Sequence, residues 1–185
     1  MGANLHGIEL MIDVFMRLDK ANPDGVNREE LIRECEAQKL DAEQVNKWME
    51  PFGMKTIRMD EFCNQFGFNL KEMILEEVER ASARSGEAPK LSEDIELIST
   101  TMSMTKQVEI TEKFKTLVGE SGEDESKAGL IPKKMKEYLD ETFEHGWQVV
   151  MVEGKYWMHF SHEPFTSLQF RYNDYICLVW RTPEN

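Results

Sequence analysis

Apolar and polar positions along the chain follow two different rhythms. From Leu10 to Ala81 the apolar residues recur at helical spacing: Leu10, Val14, Phe15 and Leu18, then Leu31 and Ile32, then Val45, Trp48 and Met49, then Phe62 and Phe66. A further helix is predicted over residues 69–84. Asn69 can cap it, Glu72 three residues on would complete a capping box, and Met73, Ile74, Val78 and Ala81 would form its apolar stripe. Beyond residue 90 the period changes. Ile95 and Leu97 alternate with acids and predict a short strand. Ser103 is placed to cap a helix through Leu117, and a second helix follows Pro132 with Met135, Tyr138, Leu139 and Phe143 on it. After His145-Gly146 four strands are expected: 147–152, 156–161, 165–171 and 175–180. Glu153-Gly154, Glu163-Pro164 and Asn173-Asp174 supply the turns between them.

The join between the two rhythms is Ser82-Ala83-Arg84-Ser85-Gly86-Glu87-Ala88-Pro89-Lys90, whose small, polar and breaker residues read as a linker. The expected organisation is an all-α module over 1–81, a linker over 82–91 that can be helical at its start, and an α+β module over 92–185. A second breaker run, Gly119 to Ser126, reads as an exposed loop inside the second module.

The helical module contains two stretches with the register of an EF-hand calcium loop. Such a loop needs oxygen ligands at positions 1, 3, 5, 7, 9 and 12, Gly at 6, and an apolar residue at 8 that pairs with a twin loop. With Asp19 as position 1, Val26 falls at 8 and Glu30 at 12; with Glu50 as position 1, Ile57 falls at 8 and Glu61 at 12. Two helix–loop–helix units paired through Val26 and Ile57 are therefore expected. The ligands are poor. Ala21 and Pro23 stand at positions 3 and 5, and Asp24 takes the position of the glycine, where an aspartate tolerates a left-handed backbone less well. Asp19, the Gly25 carbonyl, Asn27 and Glu30 remain as a weak candidate calcium site. In the second loop Phe52, Met54 and Lys55 offer no side-chain oxygen, so that loop is expected to stay empty.

Charge narrows the function classes. The chain carries 35 acids and 22 bases, a net of -13, which disfavours binding to nucleic acid or to an anionic membrane surface. No apolar run approaches the length of a membrane span. The start, Met1 to His6, lacks the charge and apolar stretch of a signal peptide. Cys35, Cys63 and Cys177 form neither a zinc spacing nor a disulfide framework, which suits a reducing, cytoplasmic setting. No catalytic constellation stands out. Cys177 lies in Ile176-Cys177-Leu178-Val179, a buried-strand pattern, and is expected to be a core thiol. Met11, Met16, Met49, Met54, Met59 and Met73 are expected in the core, and the acid runs Glu76-Glu77 and Glu123-Asp124-Glu125 in solvent.

Residues 138–181, with KEYLDETFEHGWQVV, the HFSHE block at His159 to Glu163, and LQFRYNDYICLVWR, resemble a dynein light chain; Ile95 to Met102 fit that family's first strand. An EF-hand pair joined to such a domain in a chain of this length is similar to the tegumental-allergen-like calcium-binding proteins of parasitic flatworms. The resemblance implies a non-enzymatic adaptor of the worm's tegument with calcium binding that varies among members. It implies a homodimer that exchanges a strand, and targets that add an extended strand to an open edge, as a dynein intermediate chain does. By position, that edge would be Trp157, Met158, His159, Phe160, Ser161 and His162. Gln169 and Arg171 stand where dynein light chains place groove tyrosines. A calcium sensor or buffer using the first loop is the alternative expectation.

Overall fold

The structure, a computed structural model, describes residues 6–53 and 55–182. Met54, one of the methionines expected in the core, and most of the N-terminal stretch lie outside the described residues. Two compact units divide between Glu87 and Ala88.

The first unit is helical: α1 (Ile8–Ala21), α2 (Arg28–Ala37), α3 (Ala42–Met49), a single 3₁₀ turn (Glu50–Phe52), α4 (Met59–Phe66) and α5 (Leu70–Ser85). Short polar side chains start the helices. Asn27, Asp41 and Asn69 each accept hydrogen bonds from two backbone N–H groups of the first turn of α2, α3 and α5, satisfying donors that have no intrahelical partner. The core holds Met11, Ile12, Phe15, Met16, Leu31, Val45, Met49, Ile57 and Phe62, all buried. Phe15 and Phe62 stack with ring centroids 4.0 Å apart, tying α1 to α4. The two helix–loop–helix units meet as the spacing predicts: Val26 N donates to Ile57 O (2.8 Å) and Ile57 N to Val26 O (2.9 Å).

Two local expectations are corrected here. The left-handed backbone falls on Gly25 (φ 110°), not on Asp24. Helix α1 runs on through Ala21, and Gly25 N then donates to Asn22 O (2.9 Å), closing a tight turn over Pro23 and Asp24. The stripe expected on α5 is not its buried face. Met73 is buried, but Ile74 and Val78 are 47% and 52% exposed. Glu76, expected in solvent, is only 2% exposed, and its carboxylate accepts a hydrogen bond from Arg80 Nε (2.7 Å). An i,i+4 acid–base pair can close on itself, so α5 docks through its ionic side and Met73.

The second unit contains β1 (Ile95–Thr100), α6 (Met104–Ser121), α7 (Glu125–Ala128), α8 (Ile131–Thr142), β2 (Trp147–Glu153), β3 (Ser167–Tyr172) and β4 (Tyr175–Arg181). Its sheet is antiparallel in the order β1-β3-β4-β2. Alternate strand residues (Trp147, Leu168, Phe170, Cys177 and Val179) pack with Ile110, Phe114, Met135 and Leu139 of the helices. The opposite parity, Gln169 and Arg171 with Ile176, Leu178 and Trp180, belongs to the outer face. The breaker run at 119–126 is shorter than expected, because α6 continues through Ser121 and Asp124 caps the one-turn α7.

Of the four strands expected after residue 146, three form. Residues 156–161 form no strand and pair with none among the described residues. A strand needs a ladder partner, and the chain leaves β2 through Gly154 (φ 89°) without laying this segment along it. β3 begins at Ser167 instead of Phe165, because Phe165 holds a positive φ of 62° that a ladder does not accommodate.

Candidate functional site

Two places bear on function. The first is the segment after β2. Trp157 is 90% exposed, Met158 and His159 are exposed, Phe160 is half-buried, Ser161 is exposed and His162 half-buried. The segment is laid across the outer face of its own sheet. Tyr156 donates its hydroxyl hydrogen to Gln169 Oε1 (2.8 Å), and the Phe160 ring lies 4.8 Å from that of Trp180. Its far end is clamped. Glu163 N donates to Arg181 O (3.0 Å), the Arg181 guanidinium pairs with the Glu163 carboxylate, and Arg181 Nη1 donates to Phe143 O (3.0 Å). Gln169 and Arg171, the two departures from the light-chain pattern, are both engaged. Gln169 accepts from Tyr156, and Arg171 Nε lies 3.2 Å from Glu96 Oε2. Beside the segment, β2 is hydrogen-bonded on one side to β4, and no described strand pairs with its other side. An edge of seven residues, Trp147 to Glu153, is thus open to a further strand.

The second place is the pair of loops. Asp19 and Glu30 are half-buried, Asn27 is exposed and Gly25 is buried. Asn27 Oδ1 is engaged in the α2 cap, accepting from Glu29 N (2.9 Å) and Glu30 N (3.3 Å). Burial pushes the Asp19 carboxyl up from its ordinary range; the Arg58 charge opposes the rise and Asp60 adds to it. That environment works against the ionised carboxylate a cation requires at position 1. Among the described residues no group of three or more His, Cys, Asp or Glu side chains converges as a metal cage would.

In the second loop a cation is built in. Lys55 Nζ lies 2.6 Å from Glu61 Oε1, and Arg58 N donates to Glu61 Oε2 (3.3 Å). Glu61 is the carboxylate expected at position 12, and it already has an ammonium partner in Lys55. The Lys55 hydrogen bond is the largest cause holding the Glu61 carboxyl below its ordinary range, with the backbone bond from Arg58 next. A depressed carboxyl contributes stability at pH above its unfolded value and loses it as pH falls through the folded value. We expect Lys55→Met to raise the Glu61 pKa toward 4.5 in a carbon-13 carboxyl titration. An unchanged midpoint would refute the ammonium's part.

The cysteines are internal. Burial pushes the Cys177 thiol far up, and the Cys35 and Cys63 thiols up to about 11, so none is a poised nucleophile. The pattern reading missed the ionic cluster of Glu76, Arg80 and Asp13; a Glu–Arg pair at i,i+4 carries no mark that separates a buried pair from a solvated one.

Residues 94–182 match the family described as Dynein light chain type 1. A tegument antigen of Schistosoma mansoni is 40% identical over 182 residues, spanning 97% of this chain and 96% of its own. Antigen Sm21.7 of the same worm is 35% identical over 181 residues, spanning 96% and 98%. The solved dynein light chain-like domain of the Fasciola hepatica calcium binding protein FhCaBP2 is 57% identical, covers 52% of this chain and all of its own, and gives a TM-score of 0.48. With near-complete overlap on two flatworm antigens and a light-chain unit in its second half, the chain belongs to the tegumental-allergen-like calcium-binding proteins of parasitic flatworms.

Proposed function

We propose that this protein is a non-enzymatic adaptor of the flatworm tegument whose light-chain unit captures an extended partner segment by strand addition. One observation carries the reading: β2 has no described strand on its open side, and the stretch that follows it, 155–161, joins no described ladder and presents Trp157 to solvent. An open ladder offers unpaired N–H and C=O groups to any segment that can lie along it. A second copy donating its own 155–162 stretch would fill the β2 edge and give a strand-exchanged homodimer, leaving the far side of that stretch as the edge for a target peptide. Backbone hydrogen bonds would supply affinity, and side-chain pockets selectivity. Because Gln169 and Arg171 replace groove tyrosines, we expect a partner other than the intermediate-chain segment that dynein light chains take.

The test is a peptide array probed with the full chain. Phe160→Pro removes one edge donor in mid-strand and is expected to abolish capture and to shift sedimentation toward the monomer. Undiminished capture by the variant would rule out strand addition at 157–162.

A second reading, an EF-hand pair acting as a calcium sensor or buffer, is favoured by the Val26–Ile57 bridge between the two loops. Calorimetry separates it from the first. A single calcium heat that vanishes with Glu30→Gln would support the sensor. Silence at millimolar calcium would leave the N-terminal unit as scaffold.

A further inference from the structure

The outer face of the sheet is drier than its position implies. An antiparallel sheet that packs on its helices by one face commonly meets water with the other. Here Ile176 and Leu178, on the outer face of β4, are only 2% and 1% exposed. The segment after β2 lies over that face and touches it at two points. Tyr156 bonds to Gln169 of β3, and the Phe160 ring meets that of Trp180 of β4. Leu178 stands opposite Gln169 in the ladder and two residues from Trp180 on its own strand. The two contacts therefore bracket Leu178. Burial pushes the Tyr156 hydroxyl up from its ordinary value, against the Arg171 charge, so it stays protonated and donating at neutral pH.

Both contacts are made by side chains. Among the described residues, no backbone group of 155–161 hydrogen-bonds to another backbone group. The segment hangs between Gly154, whose φ of 89° turns the chain out of β2, and the Glu163–Arg181 clamp. It is a strap with fixed ends, its middle held by one hydrogen bond and one ring contact, each of modest net strength.

The strap cannot keep this place and join a ladder. The order β1-β3-β4-β2 puts β3 two strands in from the β2 edge. A strand added at that edge would lie three spacings of about 4.8 Å, roughly 14 Å, from β3. Side chains stand nearly perpendicular to a sheet, so Tyr156 on such a strand would be out of reach of Gln169.

We propose that residues 155–162 are an autoinhibitory strap: docked on the chain's own sheet they hold the protein closed, and release of the Tyr156–Gln169 latch frees them to pair with the β2 edge of a second copy. The proposal rests on the strand-addition reading above and adds its regulation. Release bares Leu178 beside Val150, its partner across the ladder, which is already 37% exposed. A second copy covers that apolar surface again, which couples opening to association. The latch belongs to the closed form alone, so weakening it strengthens the dimer.

The experiment uses the full chain as wild type, Tyr156→Phe, Gln169→Leu, Gln169→Glu and the double variant Tyr156→Phe with Gln169→Leu. Tryptic cleavage after Lys155, followed by mass spectrometry at a dilution where the wild type sediments as a monomer, reads lifting of the strap. Sedimentation equilibrium reads association. Loss of one net hydrogen bond is expected to raise both the cleavage rate and the association constant roughly fivefold in Tyr156→Phe and in Gln169→Leu. The product is expected to be a discrete dimer, which an aggregating variant would not give. The double variant is expected to do no more than either single one, since both remove the same bond. Gln169→Glu, which keeps an acceptor, is expected to stay at wild-type values or below. Faster cleavage with an unchanged association constant would overturn the autoinhibition, and unchanged cleavage in both single variants would overturn the latch. In either case a Phe160→Pro variant that still lowers association leaves strand addition standing, so the two readings fail separately.

Discussion

Phe62→Ala is expected to destabilise the first unit by about 4 kcal/mol, the usual cost of removing a fully buried aromatic ring. Phe62 is wholly buried and sits amid four other phenylalanine rings, with centroids at 4.0 Å to Phe15, 4.8 Å to Phe66, 6.2 Å to Phe52 and 6.4 Å to Phe68. These rings join α1, the 3₁₀ turn, α4 and the lead-in to α5. Collapse of the void would need all of them to move, so relaxation recovers little. Against a typical domain stability of about 5–15 kcal/mol, that loss is large. Calorimetry should show the transition of the first unit moved far down and that of the second unchanged. Two transitions displaced together would mean that the units melt as one, and would sink the division near Glu87.

Gly25→Val is expected to cost about 3 kcal/mol. The left-handed backbone contributes roughly 1–2 of this, and the remainder comes from overlap. A Cβ on Gly25 would lie 2.8 Å from both Ile57 O and Thr56 Cγ2. Ile57 O is the acceptor of the Val26 hydrogen bond, so the new carbon pushes on the bridge that pairs the two loops. Gly53→Ala provides the comparison. Gly53 also has a positive φ (65°), but its added Cβ would meet nothing within 4 Å. Urea unfolding of both variants separates the causes. A loss in Gly25→Val no greater than in Gly53→Ala would show that backbone strain, not the close approach of the loops, is what the glycine relieves.

Several features were legible residue by residue. Asn69 as a helix cap, Pro132 at the start of α8, the Asn173-Asp174 turn between β3 and β4, and the continuous apolar run that buries Cys177 all depend on neighbours in sequence. The pairing of Val26 with Ile57 was legible as well, since two loops of equal register repeat the same apolar position. The candidate sites were less so. Asp19, Gly25, Asn27 and Glu30 share a register, but the register does not show that α1 continues to Ala21 and draws Asn22–Gly25 into a tight turn. Trp157 to His162 have the composition of a strand. Whether such a segment pairs depends on a partner ladder that the segment does not contain.

Short-range chemistry was thus enough for the helical first half, the strand–helix–helix–sheet order of the second, and the kinship with light chains, because caps, turns and periodicity act within a few residues. Long-range packing alone decided three things: that Glu76 and Arg80 go inward while Ile74, Leu75 and Val78 face water, that Lys55 answers the charge of Glu61, and that 156–161 lies over the outer face of the sheet while β2 stays open. The reason is common to all three. The energy of an ion pair, a ladder or a buried face belongs to two partners at once, and the second partner's place is set by the fold.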